Sequence, residues 1–149
     1  MSVDVLLIED NLGDAVLIHD AVNRVPVPVN LHLALDGHQA VLMLSNPHFQ
    51  PHLIVLDLNI PKIPGTALLQ RWKGNHRTPV VVLSSSRNPA ERDFCLASGA
   101  REFVSKPVEL EEFQDAVARI IERWASKGVS VRRSLAACVN KRRSRVMRS

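Results

Sequence analysis

Five polar residues lie where apolar runs of the chain end. Glu9 and Asp10 follow VDVLLI, Asp57 ends HLIVLD, Ser84 ends PVVVLS, and Lys106 follows REFVS. If these runs are neighbouring strands of a parallel sheet, the three acids converge at one edge. Like charges about 4 Å apart repel each other by about 4 kcal/mol at an effective dielectric near 20. Such a cluster is therefore tolerable only with a cation present.

This combination of groups suits phosphoryl transfer to a carboxylate. A hard divalent cation prefers carboxylate oxygens and water, and magnesium is the usual choice where phosphate must also be bound. Lys106 can supply a second, fixed positive charge. With the acids neutralised, Asp57 can attack an anionic phosphoryl donor, and the Ser84 hydroxyl can hydrogen-bond a phosphoryl oxygen.

The elements that must position these residues are five short apolar runs alternating with amphipathic segments. This alternation predicts a doubly wound parallel α/β sheet, because each return to a parallel sheet needs a crossover. Ligands bind outside the carboxyl ends of such strands. The sequence predicts strands at 3–9, 29–35, 52–57, 79–84 and 101–105, and helices at about 14–23, 37–45, 66–75, 89–98 and 109–125. The second strand alternates apolar and polar residues, which indicates a place nearer the sheet edge.

Composition and charge divide the chain into two parts. The 149 residues are 46% hydrophobic, which is enough for one core. They contain neither a membrane-spanning apolar run nor a secretory leader, so we expect a cytosolic protein with Cys95 and Cys138 as free thiols. Residues 1–126 hold 11 basic and 15 acidic residues, a net charge of −4, whereas residues 127–149 hold eight basic residues and no acid.

This division predicts a folded domain at 1–126 and a basic, flexible tail at 127–149. The tail is open to three interpretations. It is a solubilising end, an arm that binds the anionic groups of nucleic acid or lipid, or a docking segment for a protein. KRRSRVMR lacks interleaved aromatic residues and a recognition helix, which argues against nucleic acid.

Taken together, the polar residues resemble the receiver domain of two-component response regulators in identity, order and spacing, from about Val3 to Ser126. The residues that carry the resemblance are Glu9-Asp10, Asp57, Ser84 and Lys106-Pro107. The resemblance implies a flavodoxin-like fold with strand order 2-1-3-4-5. It also implies a signalling protein, rather than an enzyme acting on free substrates, that accepts a phosphoryl group from a sensor histidine kinase.

The resemblance assigns a role to each site residue. Asp57 is the phosphorylation site, assisted by Ser84 and Lys106. The implied Mg²⁺ ligands are Glu9, Asp10, Asp57 and the backbone carbonyl of Asn59. Ser84 and Phe103 occupy the positions of the conformational switch. In this family the bond before Pro107 is cis, an isomer that the sequence leaves open.

Further motifs resemble the stand-alone regulators of phytochrome-type kinases. They are EDNLGDAVLI, DLNIPK, and Trp124 in IIERWAS. This resemblance implies a homodimer through the fourth helix, fifth strand and fifth helix, with output through altered protein contacts. Two departures, Ser84 in place of the commoner Thr and Pro64 in place of Asp, leave the chemical roles intact.

Two other functions fit part of the pattern. A magnesium-dependent aspartyl phosphatase or phosphotransferase would use the same nucleophile, but such enzymes usually carry a second acid two residues later, where this chain has Asn59. A degenerate receiver would act only as an interaction module, but the complete set of acids argues against that function.

Overall fold

The computed structural model describes residues 2–73 and 77–125. Within them, five strands alternate with five helices, as predicted: β1 (Val3–Ile8), α1 (Leu12–Val22), β2 (Val29–Ala34), α2 (Gly37–Ser45), β3 (Leu53–Leu56), α3 (Gly65–Trp72), β4 (Val80–Ser84), α4 (Pro89–Ala97), β5 (Glu102–Ser105) and α5 (Leu110–Ile120). All strand pairs are parallel, in the order β2-β1-β3-β4-β5. The predicted flavodoxin-like receiver fold is confirmed.

The sheet separates two apolar cores. One joins alternate sheet residues to α1 and α5 through Ile18, Phe113 and Ile120. The other joins the opposite sheet face to α3 and α4 through Leu68 and Cys95. β3 and β4 are buried throughout, whereas β2 is only partly buried, as its alternating sequence predicts for an edge strand.

Three helix boundaries differ from those predicted, and one of them is the end of α3, at Trp72 rather than about 75. α1 begins at Leu12 rather than about 14, because the Asn11 side chain caps it by accepting a hydrogen bond from the Asp14 amide at 3.0 Å. At its other end the fifth helix changes to a π-helical turn over Ile121–Ala125. The Trp124 indole in this turn donates a hydrogen bond to Glu102 of β5 at 2.8 Å.

Some predictions concern residues outside the described ranges. They are Cys138 and the basic tail. Cys95 is a buried free thiol. No helix in the described part of the chain is long and apolar enough to cross a membrane.

Gly65 allows the loop after β3 to pass close to the start of α3. A Cβ atom at this position would lie 2.6 Å from the Leu58 Cα and 2.9 Å from the Asp57 carbonyl oxygen. Both are backbone atoms, so Gly65→Ala must displace the loop. We expect a loss of about 1 to 3 kcal/mol in the free energy of unfolding, measured by urea denaturation.

Gly13→Ala is the matched control for this substitution. The nearest atom to a Cβ at Gly13 is the side-chain oxygen of Asn11, at 3.2 Å. Alanine favours a helix by up to about 1 kcal/mol over glycine, so this variant should be neutral or slightly stabilised. Equal effects of the two substitutions would show that the close approach at Gly65 is unimportant.

Candidate functional site

The register of the central strands brings the acids together. β1 and β3 pair so that Ile8 lies opposite Leu56, which places Glu9 beside Asp57 at the carboxyl edge. The Asp57 amide donates to the Ile8 carbonyl at 3.0 Å. Both acidic residues are buried, with 1% and 6% of their surface exposed. Short apolar strands therefore carry two buried carboxylates to one point.

The Lys106 ammonium lies among three carboxylates. Its Nζ atom is 2.9 Å from Asp57 Oδ2, 2.9 Å from Asp14 Oδ2 and 3.1 Å from Glu9 Oε1. The Lys106 amide donates to the Ser84 carbonyl at 2.7 Å, which extends the β4–β5 pairing to the base of this side chain. Lys106 thus joins the last strand to the acids of β1, β3 and α1.

Glu9, Asp10 and Asp57 are arranged so that they can hold a cation. Each offers a carboxylate oxygen, and these oxygens all lie within 4.8 Å of one another. Asp10 is exposed, so the group opens to solvent on one side. An all-oxygen set of acids that retains access to water fits a hard divalent ion such as Mg²⁺. The donor chemistry therefore agrees with the metal implied by the sequence.

Burial and mutual repulsion separate the proton affinities of these groups. Burial, followed by the neighbouring Asp57 carboxylate, raises the pKa of Glu9 to about 8. Burial also acts to raise the pKa of Asp57, but hydrogen bonds with Glu9 and Lys106 outweigh it, and the pKa is lowered. The pKa of Lys106 is raised, because its bonds to Asp14 and Asp57 outweigh the effect of burial. At neutral pH, Asp57 is therefore ionised beside a charged ammonium.

The raised pKa of Glu9 predicts a pH dependence of stability in the metal-free protein. Its pKa is 4.5 ordinarily and about 8 when folded, so the folded state holds more protons in this range. The free energy of unfolding should therefore fall as pH rises from about 5 to 8. Glu9→Gln should reduce that slope, as measured by urea denaturation in EDTA. Asp57 and Lys106 do not contribute in this window, because their shifts act below and above it.

Glu112→Gln, at an exposed position on α5, is the control for loss of one carboxylate. It should leave the slope as in the wild type. A Glu9→Gln variant with the wild-type slope would mean that Glu9 is ionised throughout this pH range.

Ser84 and Asn59 lie beside the cluster, Phe103 packs in a core, and the roles of all three remain predictions. Ser84 is fully buried, and its hydroxyl oxygen accepts a hydrogen bond from the Ser86 amide at 3.2 Å. The Asn59 amide donates to Asp57 Oδ1 at 3.1 Å, which fixes the loop that carries its carbonyl. Phe103 is partly buried against the core that contains α3 and α4.

The bond before Pro107 differs from the family isomer. The described residues contain no cis peptide bond, so this bond is trans. The Lys106 ammonium nevertheless reaches all three carboxylates.

Asp14 is the member of the cluster that the sequence analysis did not single out. It lies one helical turn after Asp10, and the Asn11 cap places it at the start of α1. The sequence did contain a signal for it: Asp14 is an acidic residue in the first turn of a helix that begins directly after Glu9 and Asp10. Its contact with a lysine 92 positions later depends on the tertiary fold.

Comparisons with known proteins agree with this fold. A family model described as response regulator receiver domain matches residues 5–118. The solved structure of the phosphorylated cyanobacterial phytochrome response regulator RcpA is 32% identical, with a TM-score of 0.78; the match covers 85% of this chain and 96% of that one. The Mn(2+)-bound form of response regulator Rcp1 is 28% identical, with a TM-score of 0.75 and coverage of 82% and 94%.

Curated relatives include both short and long proteins. The probable methanogenesis regulatory protein FilR2 of Methanothrix harundinacea is 29% identical over 127 residues, which are 80% of this chain and 82% of that protein. In three other relatives the chain spans only 3% to 39% of the whole length. The matched residues of this chain include the acid cluster and Lys106. The chain therefore belongs to the response regulator receiver domain family.

Proposed function

We propose that this protein is a response regulator whose Asp57 accepts a phosphoryl group from a sensor histidine kinase in a Mg²⁺-dependent reaction. The observation that carries the proposal is the position of the Lys106 ammonium, 2.9 Å from Asp57 and 3.1 Å from Glu9. The lowered pKa of Asp57 keeps the nucleophile ionised. The ammonium offsets the repulsion between this carboxylate and an anionic donor.

The transfer exchanges one bond to phosphorus for another. A bond forms between an Asp57 carboxylate oxygen and phosphorus, while the bond between phosphorus and the donor nitrogen breaks. Lys106 donates a hydrogen bond to a phosphoryl oxygen. Mg²⁺, bound by Glu9, Asp10, Asp57 and the Asn59 carbonyl, would neutralise charge on the phosphoryl group.

The output of the reaction is a change in protein contacts. The phosphoryl group adds about −1.5 to −2 charges next to the loop between β4 and α4. Ser84 moves towards the new charge and Phe103 turns inward, which changes the face formed by α4, β5 and α5. This face is the proposed homodimer contact.

The proposed kinase is a phytochrome-type photoreceptor, and the proposed location of this protein is the cytoplasm. This partner is supported by the likeness to RcpA, which is a phytochrome response regulator. Residues 1–126 form the receiver in this proposal, and residues 127–149, with eight basic residues and no acid, form a tail outside it. Nucleic acid is not a proposed ligand.

The experiment that tests the function is intact-mass analysis after incubation with acetyl phosphate or phosphoramidate, with Mg²⁺ or with EDTA. The proposal requires a gain of about 80 Da, one phosphate, in Mg²⁺ but not in EDTA. No gain in folded protein would favour the alternative, a degenerate receiver that acts as an interaction module. Continuous turnover of a free phosphate ester would instead indicate the phosphatase alternative.

A further inference from the structure

The three N–H donors of Lys106 are matched by three carboxylates. A lysine ammonium has three donors and no acceptor. Glu9, Asp14 and Asp57 each accept from Nζ at 2.9 to 3.1 Å. The Lys106 side chain is 9% exposed, so water has little room to replace a missing partner. The direction in which the Lys106 ammonium points therefore depends on which carboxylates are available to accept its hydrogen bonds.

Two of these three carboxylates have a further role in the proposed reaction. Glu9 and Asp57 belong to the group of acids that can hold a cation, and Asp57 also becomes the phosphorylated residue. Asp14 is outside that group. It is therefore the partner that stays available to Lys106 in the metal-bound and phosphorylated states.

The position of Asp14 suits a fixed anchor. It lies in the first turn of α1, where the Asn11 side chain accepts from its amide at 3.0 Å. Its side chain is 29% exposed, and its Oδ2 atom makes the contact with Nζ. The anchor is thus part of the α1 framework rather than of the loops that change on phosphorylation.

We propose that Asp14 is a positioning residue that holds one donor of Lys106, so that another donor points at the phosphoryl group during transfer to Asp57. This inference rests on the proposed function. It assigns to Asp14 an effect on rate through Lys106, without contact with the phosphoryl group. Loss of the anchor would leave the ammonium free to turn towards Glu9.

Whether the phosphorylation rate rises or falls when Asp14 is replaced distinguishes a positioning role from a purely electrostatic one. Removing a negative charge near the site favours the approach of an anionic donor. An Asp14 that acts only as one more acid should therefore leave the rate unchanged or raise it when replaced. Loss of positioning instead lowers the rate, by about tenfold for a misplaced group of this kind.

The test compares the phosphorylation rates of wild type, Asp14→Ala and Asp20→Ala with phosphoramidate at saturating Mg²⁺, followed by intact mass. Asp20 is also on α1, and its side chain is 57% exposed. We expect Asp14→Ala to be about tenfold slower and Asp20→Ala to match wild type. Asp14→Glu should recover most of the rate, because a carboxylate again reaches Nζ.

A double-mutant cycle identifies the route of the effect. If Asp14 acts through Lys106, Asp14→Ala should slow the residual reaction of Lys106→Met no further. An Asp14→Ala rate equal to or above wild type, or full additivity with Lys106→Met, would overturn the inference. Either result leaves the proposed function standing, because that function is tested separately, by the Mg²⁺-dependent gain of phosphate in wild type and its loss in Asp57→Asn.

Discussion

Replacing Asp57 by Asn should abolish the Mg²⁺-dependent gain of phosphate, with a fall in rate of about 100-fold or more. An amide oxygen is a far weaker nucleophile than a carboxylate. The change is close to isosteric, and the side-chain oxygen of Asn can still accept the 3.1 Å hydrogen bond from the Asn59 amide. Glu9 and Asp14 remain as carboxylate partners of Lys106. The variant therefore removes the acceptor and one partner of Lys106, because the amide nitrogen of Asn takes the place of Oδ2, and it leaves the other contacts in place.

Intact mass measures this result without assumptions about the donor. Asp20→Asn is the control, because it makes the same chemical change at an exposed position of α1. It should gain one phosphate at the wild-type rate. Phosphate found on the Asp57→Asn variant in wild-type yield would refute Asp57 as the acceptor, and peptide mapping would then locate the true site.

Replacing Lys106 by Met should destabilise the metal-free protein by about 3 kcal/mol near pH 8. The substitution keeps a long apolar chain but leaves Glu9, Asp14 and Asp57 without their shared cation. Removing one partner of a buried ion pair lowers the free energy of unfolding more than removing one partner of an exposed pair does. The loss should be smaller near pH 5.5, where Glu9, with a pKa of about 8, is protonated.

Urea denaturation in EDTA and in excess Mg²⁺ measures this effect. A divalent cation held by the remaining acids offsets their repulsion, so Mg²⁺ should restore much of the lost stability. Lys62→Met is the control, since Lys62 is 64% exposed and its bond to Asp36 is 3.5 Å long. It should cost less than about 1 kcal/mol. Equal losses in the two variants would show that the buried ammonium does not stabilise the acid cluster.

The sequence could predict the sheet and most of the site for a physical reason. Strands buried on both faces must be continuous apolar runs, and the polar residues that end them must meet at one edge of a parallel sheet. Glu9, Asp57 and Lys106 were found in this way. Their separations along the chain are long, but the parallel topology alone brings them together.

The features that the sequence did not predict depend on side-chain reach and local hydrogen bonding. Asp14 has the pattern of an ordinary first-turn acid, and its role as a partner of Lys106 needs the rotamers of both residues. The early start of α1 follows from the Asn11 cap. The π-helical turn leaves the apolar periodicity of the last helix nearly unchanged, so the sequence indicates one continuous helix to residue 125.

The two apolar cores on opposite faces of the sheet have a mechanical consequence. Phe103 packs in the core with α3 and α4, whereas α1 packs with α5 in the other core. Turning Phe103 would repack one layer while the sheet shields the second. We expect the α1–α5 layer to keep its shape while the opposite layer rearranges, so that α4 and β5 shift within the proposed contact face and α5 does not. A regulator built in this way could change the surface it offers to a target without loosening the surface near α1.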